Sequence, residues 1–112
     1  IFEEVNTDFI LAGHCGLPFV DSQGDKLWLN AGVIGMPAND GTSRVWYMTL
    51  DDENGFEYAH QSFEYNHTEA ARLMAEHSLP LSYANTLATG IWDNCEILPE
   101  VETKQQGDKI VF

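Results

Sequence analysis

The chain has 112 residues, with 5 Lys+Arg against 18 Asp+Glu and a formal net charge of −13. At that length one domain with its own core is expected, and five scattered cations cannot build the basic stripe that nucleic-acid backbones or anionic membranes require. A 44% hydrophobic share with 12% aromatics excludes a disordered acidic segment.

Thr7–Gly13 is a short apolar run with a Gly stop, the pattern of a buried strand, and Gly13–Pro18 must be a loop at its end. Phe19-Val20 and Lys26–Asn30 flank a Gly24 turn and read as a hairpin. Ala31–Gly41, with three glycines, a proline and Asp40-Gly41, is a structured loop. Arg44–Leu50 is rich in β-formers, Asp51–Gly55 is an acidic turn, and Phe56–Tyr65 returns as a strand. Phe63 and Tyr65 fall on the wrong parity for Phe56, Tyr58 and His60, which predicts a bulge near Gln61-Ser62. Asn66 is placed to cap a helix ending near Ser78, with Glu69 three residues on. Leu79-Pro80 opens a second short helix that Gly90 stops. From Ile91 the pattern dissolves, and Glu100–Asp108 reads as a mobile tail.

This order of strands and then two short helices predicts an α+β fold, mainly antiparallel. The first strand differs in kind, because it is apolar throughout and ends in a Gly-rich loop. It reads as a central strand of a larger sheet. Two cysteines without CxxC spacing suit a reduced cytoplasmic setting, and acidic Ile1–Asn6 does not open like a signal peptide. Because Ile rather than Met comes first, the sequence is read as a piece or processed product of something longer.

His14, between glycine and cysteine at the end of a buried strand, lies where open sheets place ligands. Its imidazole suits a divalent metal or acid–base work, and equally a hydrogen-bonded loop role. Cys15 reads as a small hydrophobe rather than a nucleophile. A zinc site from His14, Cys15, His60 and Cys95 lacks ligand spacing. His60 reads as packed and hydrogen-bonded, Trp28 and Trp46 as core walls, and Asp51–Glu53 as a solvated turn without a calcium-loop register.

Leu11-Ala12-Gly13-His14-Cys15-Gly16-Leu17-Pro18-Phe19 resembles the last signature of calcineurin-like metallophosphoesterases, a strand followed by Gly-His-x-His-x-Pro-Phe. Leu29–Pro37 is similar to the Asn-Pro-Gly-Ser-Val-Gly-x-Pro stretch of small bacterial and archaeal members. Arg44–Tyr47 is similar to their Arg-Ala-Ser-Tyr strand, and Tyr65–Ala71 with Leu79-Pro80 to their closing helix. The resemblance covers residues 1–90 and leaves 91–112 as an extension or tail.

It implies the C-terminal half of an α/β/β/α sandwich. Family members hydrolyse phosphomonoesters or phosphodiesters at a centre of two divalent metals, usually manganese, iron or zinc. His14 matches the first signature His, a metal ligand, with Gly13 and Asn30–Gly32 shaping the rim. The second signature His is replaced by Gly16, and the other ligand segments of the family are absent from these residues. The expectation is therefore a chain inactive alone, with no catalytic residue assigned and His14 as its one metal ligand. Its expected partners are a phosphate ester in the parent protein and either a second copy or the missing N-terminal half along an exposed apolar edge. The alternative is an interaction module that keeps the fold without the chemistry.

Overall fold

In a computed structural model describing residues 1–112, the chain forms two small sheets and four helices. The first sheet contains β1 (Phe9–Ala12), β2 (Phe19–Gln23) and β3 (Lys26–Asn30) in the order β1-β3-β2. β2 and β3 make the expected hairpin, in which Gly24, at φ 64°, begins a two-residue turn. A left-handed first turn position matches the twist of the flanking strands and suits glycine. β1 runs parallel to β3, with Phe9 opposite Leu27 and Ala12 opposite Asn30.

β1 is thus an edge strand here, not the central strand expected from its composition. β3 fills one side, and no other segment of the chain pairs with the other. Leu11 is 50% exposed and Phe9 39% exposed.

The second sheet is the antiparallel pair β4 (Val45–Asp51) and β5 (Glu57–Phe63). Its ladder is unbroken from Val45↔Phe63 to Asp51↔Glu57, so the expected bulge at Gln61-Ser62 does not form. The parity conflict has a simpler solution. Phe63 stays on the face opposite His60 and packs against Tyr47, ring centroids 5.9 Å apart. The Asn54-Gly55 pair lies in a longer connection that Asp51 tightens by accepting from the Glu53 amide at 2.9 Å. The mixed α+β character is as expected, with antiparallel pairs predominating and one parallel pair added.

A four-residue helix, α1 (Phe2–Val5), precedes β1 and buries Phe2. It is too short to announce itself by periodicity. Helix α2 (His67–Glu76) is capped as expected, Asn66 Oδ1 accepting from the Glu69 amide at 3.2 Å. Arg72 braces its exposed face by pairing with Glu69 and Glu76. Helix α3 (Leu81–Thr89) buries Ala84, Thr86 and Leu87 and ends at Gly90, whose φ is 71°. A Cβ there would lie 2.1 Å from the Thr42 carbonyl oxygen, so only glycine lets the helix end meet the loop.

The core sits under the long loop rather than between layers. Gly32 and Pro37–Asp40 are buried together with Leu29, Val45, Trp46 and Trp92. Buried loop backbone needs partners, and the C-terminal segment supplies them. Asn39 accepts from the Gly107 amide on its carbonyl, and from Trp92 N and Gln106 Nε2 on Oδ1. The stretch expected to be a mobile tail is therefore a strap: α4 (Glu100–Lys104) leads into residues that cross the loop and end with Phe112 stacked on His60, centroids 4.2 Å apart. Composition hid this, because the contacts are polar and made to residues some 70 positions away.

The whole remains open. Its radius of gyration is 15.9 Å, against about 13 Å for a compact domain near this length. Only 17 of 112 residues are buried. No helix is long and apolar enough to cross a membrane.

Candidate functional site

The strongest candidate lies at the C-terminal end of β1. Gly13–Leu17 turns away from the sheet there, and His14 adopts a left-handed conformation, φ 71°. For a residue with a Cβ this costs about 1–2 kcal/mol, and such strain persists only where surroundings enforce it. The enforcement is visible. The Cys15 amide donates to the Gly13 carbonyl at 2.9 Å. Asn30, at the end of β3 and 1% exposed, donates its side-chain amide to the carbonyls of Cys15 at 2.9 Å and Leu17 at 2.7 Å. His14 itself is exposed, and no hydrogen bond restrains its ring.

Asn30 has a second role. Its backbone carbonyl accepts from His60 Nε2 at 2.7 Å, which ties β5 to β3. A carbonyl only accepts, so Nε2 carries the proton. His60 is the packed, hydrogen-bonded residue expected. Asn30–Gly32 was expected only as rim, and the clamp made by the Asn30 side chain was not anticipated. A buried Asn at a strand end was the available signal.

The loop opens on a cleft of about 590 Å³, with Met36, Tyr83, Trp92 and Ile97 among its walls. Gly16 lies at its floor, and Trp92 covers it. A Cβ on Gly16 would sit 2.6 Å from Trp92 Cζ2 and 3.6 Å from Met36 Sδ. Trp92 is fixed by two hydrogen bonds, the indole Nε1 donating to the Pro37 carbonyl at 2.8 Å and the backbone N–H to Asn39 Oδ1 at 2.7 Å. Position 16 therefore has no room for a side chain of any kind while Trp92 stays in place.

The remaining candidates separate. Cys15 is exposed and Cys95 half-buried, and both are free thiols. Cys95 Sγ accepts from Gln106 Nε2 at 3.3 Å within the strap. The zinc combination of His14, Cys15, His60 and Cys95 does not assemble: no group of three His, Cys, Asp or Glu side chains in the chain is arranged to hold a metal ion. As a donor set for the divalent metals considered above, these residues do not suffice; His14 is a single imidazole. Trp46 is core, with the Arg44 guanidinium 4.5 Å above its ring and Phe112 edge-on at 5.3 Å. Trp28 is half-buried on β3.

The charged cluster that does form is structural. Asp40 is 2% exposed and accepts from Arg44, from the Thr42 hydroxyl and amide, and from the Ile110 amide. Burial alone would raise its pKa. The donors outweigh that, led by the Arg44 and Thr42 side chains, and hold the carboxyl below its ordinary value of 3.8.

Comparison with protein-family models, with curated proteins and with solved structures finds no match to this chain.

Proposed function

We propose that residues 1–90 are the C-terminal half of a metal-dependent phosphoesterase of the calcineurin-like type. His14 would contribute one ligand to a metal centre whose other ligands come from residues outside this sequence. One observation carries the reading. An exposed histidine is held in a strained left-handed conformation at the C-terminal end of a parallel-paired strand, in a loop that a buried asparagine grips through its side-chain amide. Strain of this kind accompanies ligand-positioning sites, and strand C-terminal ends are where α/β sheets bind them. In such a centre, divalent metals supply charge to hold and polarise the phosphate.

The open edge of β1 supports the same reading, because it leaves one side of an apolar strand for further sheet. On this proposal the chain alone is inactive and pairs with the missing half or with a second copy of itself. The runner-up is a non-catalytic interaction module on the same fold. Trp92 favours it, since that ring fills the space a side chain at position 16 would need.

The test starts from the intact mass of the native product, captured with an antibody to this chain. A product about twice the present 12.6 kDa, with manganese-stimulated phosphodiester hydrolysis lost on His14→Ala, is the expected result. A native product of 112 residues would overturn the enzyme reading and leave the interaction module.

A further inference from the structure

We infer that the cleft between the His14 loop and the Trp92–Leu98 segment binds a flat aromatic group, the organic part of a small phosphate-bearing ligand. The phosphate in that description rests on the phosphoesterase reading; the aromatic group does not. At about 590 Å³, the cleft falls within the roughly 300–1,000 Å³ span of small-molecule sites.

Part of its wall is apolar, formed by Met36, Tyr83, Trp92, Ile97 and Leu98, beside the polar His14, Thr86, Asp93 and Asn94. The polar tips of both aromatic residues are already used, Trp92 Nε1 on the Pro37 carbonyl and the Tyr83 hydroxyl on the Gly35 carbonyl at 2.8 Å. Tyr83, 38% exposed, offers the cleft ring surface, which pairs well with other rings, and Trp92, 7% exposed, adds a small part of its indole. Met36 adds a polarisable thioether suited to aromatic contact. Ile97, at the mouth, is 84% exposed, so a ligand that covers it removes apolar area from water.

The walls are also fixed before any ligand arrives. Trp92 is pinned at its indole and its backbone, and Gly90 locks the end of α3 against Thr42. Such preorganisation lowers the entropic cost of binding. No Lys or Arg lines the cleft, and Asp93 does. His14 is the lining residue whose ring can carry positive charge, so the charged part of the ligand belongs on the His14 side of the cleft, away from Asp93.

Residues 91–98 thereby gain a role as a specificity wall. Gly16 gains one as well. The missing side chain is what admits Trp92 to the floor of the cleft.

The test is a proton–nitrogen NMR titration of the full chain with 1-naphthol, 1-naphthyl phosphate and inorganic phosphate. Both naphthyl compounds should shift the Trp92 indole N–H and the Gly16 amide, leave the Trp28 and Trp46 indoles in place, and lose about tenfold in affinity with Ile97→Glu, which sets a carboxylate against the ring. Ile34→Glu, at an exposed site outside the cleft, should leave affinity unchanged. Absence of shifts with 1-naphthol, equal affinity in Ile97→Glu, or the same shifts with inorganic phosphate alone would each overturn the inference. Cleft binding by 1-naphthol in a native product that hydrolyses no ester would instead sink the phosphoesterase reading and leave the aromatic site standing.

Discussion

Gly16 and Trp92 compete for one space. The indole Cζ2 lies 2.6 Å from where a Cβ on residue 16 would be, and the indole cannot retreat without giving up its Nε1 bond to the Pro37 carbonyl. Gly16→Ala should therefore destabilise the chain by about 1–3 kcal/mol, the cost of overpacking a filled site, seen as a lower urea midpoint with unchanged slope. Gly16→His should cost at least as much. In the Gly16→His/Trp92→Ala double variant the two losses should fall short of additivity by roughly 0.5–3 kcal/mol. Strict additivity would mean the ring and the loop do not share that space.

His14 is strained in place, and glycine is not. His14→Gly removes the penalty of the left-handed conformation, and no hydrogen bond of the ring is lost. Part of the gain is returned because glycine is freer in the unfolded chain. A net stabilisation of about 0.5–1 kcal/mol is expected, read as a rise in Tm, while metal-dependent activity of the native product disappears. A loss of stability would show that the ring makes contacts that hold the loop.

Asp40 makes stability depend on acid. Its folded pKa lies below the ordinary 3.8, so its contribution is present above that value and is lost as pH falls through the folded pKa. The Tm of the wild-type chain should fall steeply below about pH 4, and that of Asp40→Asn less so over the same window. At pH 7 the variant should be less stable by about 3 kcal/mol, the low end for an uncompensated buried partner; Arg44 retains 17% side-chain exposure and keeps some solvation. Parallel acid profiles for the two proteins would remove Asp40 from the account.

Local pattern made the strands, the Gly24 hairpin and both longer helices legible, because each rests on neighbours within a few residues: Asn66 on Glu69, Gly90 on Thr86. The position of His14 at a strand end was legible too. Its strain was not, since no residue type around it signals φ 71°; the Asn30 amide helps to hold that turn from a distance, 15 residues from Cys15 and 13 from Leu17. The strap was missed for the same reason. Gln106, Gly107 and Ile110 look like a mobile tail until they are seen to donate to the buried loop at Asn39-Asp40. The bulge failed because both faces of β4–β5 carry apolar residues, so parity alone could not say which face Phe63 takes.

The open edge of β1 leads to the last prediction. One side of Phe9–Ala12 is paired with β3; the other carries no strand, with Phe9 and Leu11 part-exposed and only the Phe9 N–H and C=O occupied, by the Thr7 hydroxyl. Unguarded apolar edges recruit further strands, and the charge at this strand is slight; Asp8 precedes it and pairs with Lys26. The isolated chain should therefore sediment as a dimer or larger species at high concentration. Leu11→Lys places a cation on the edge, where it costs little in the folded monomer because Leu11 is half exposed already. It should shift the chain to monomer without lowering Tm at low concentration. A wild-type chain that stays monomeric at the highest concentrations, or a Leu11→Lys variant that still associates, would move the contact away from β1.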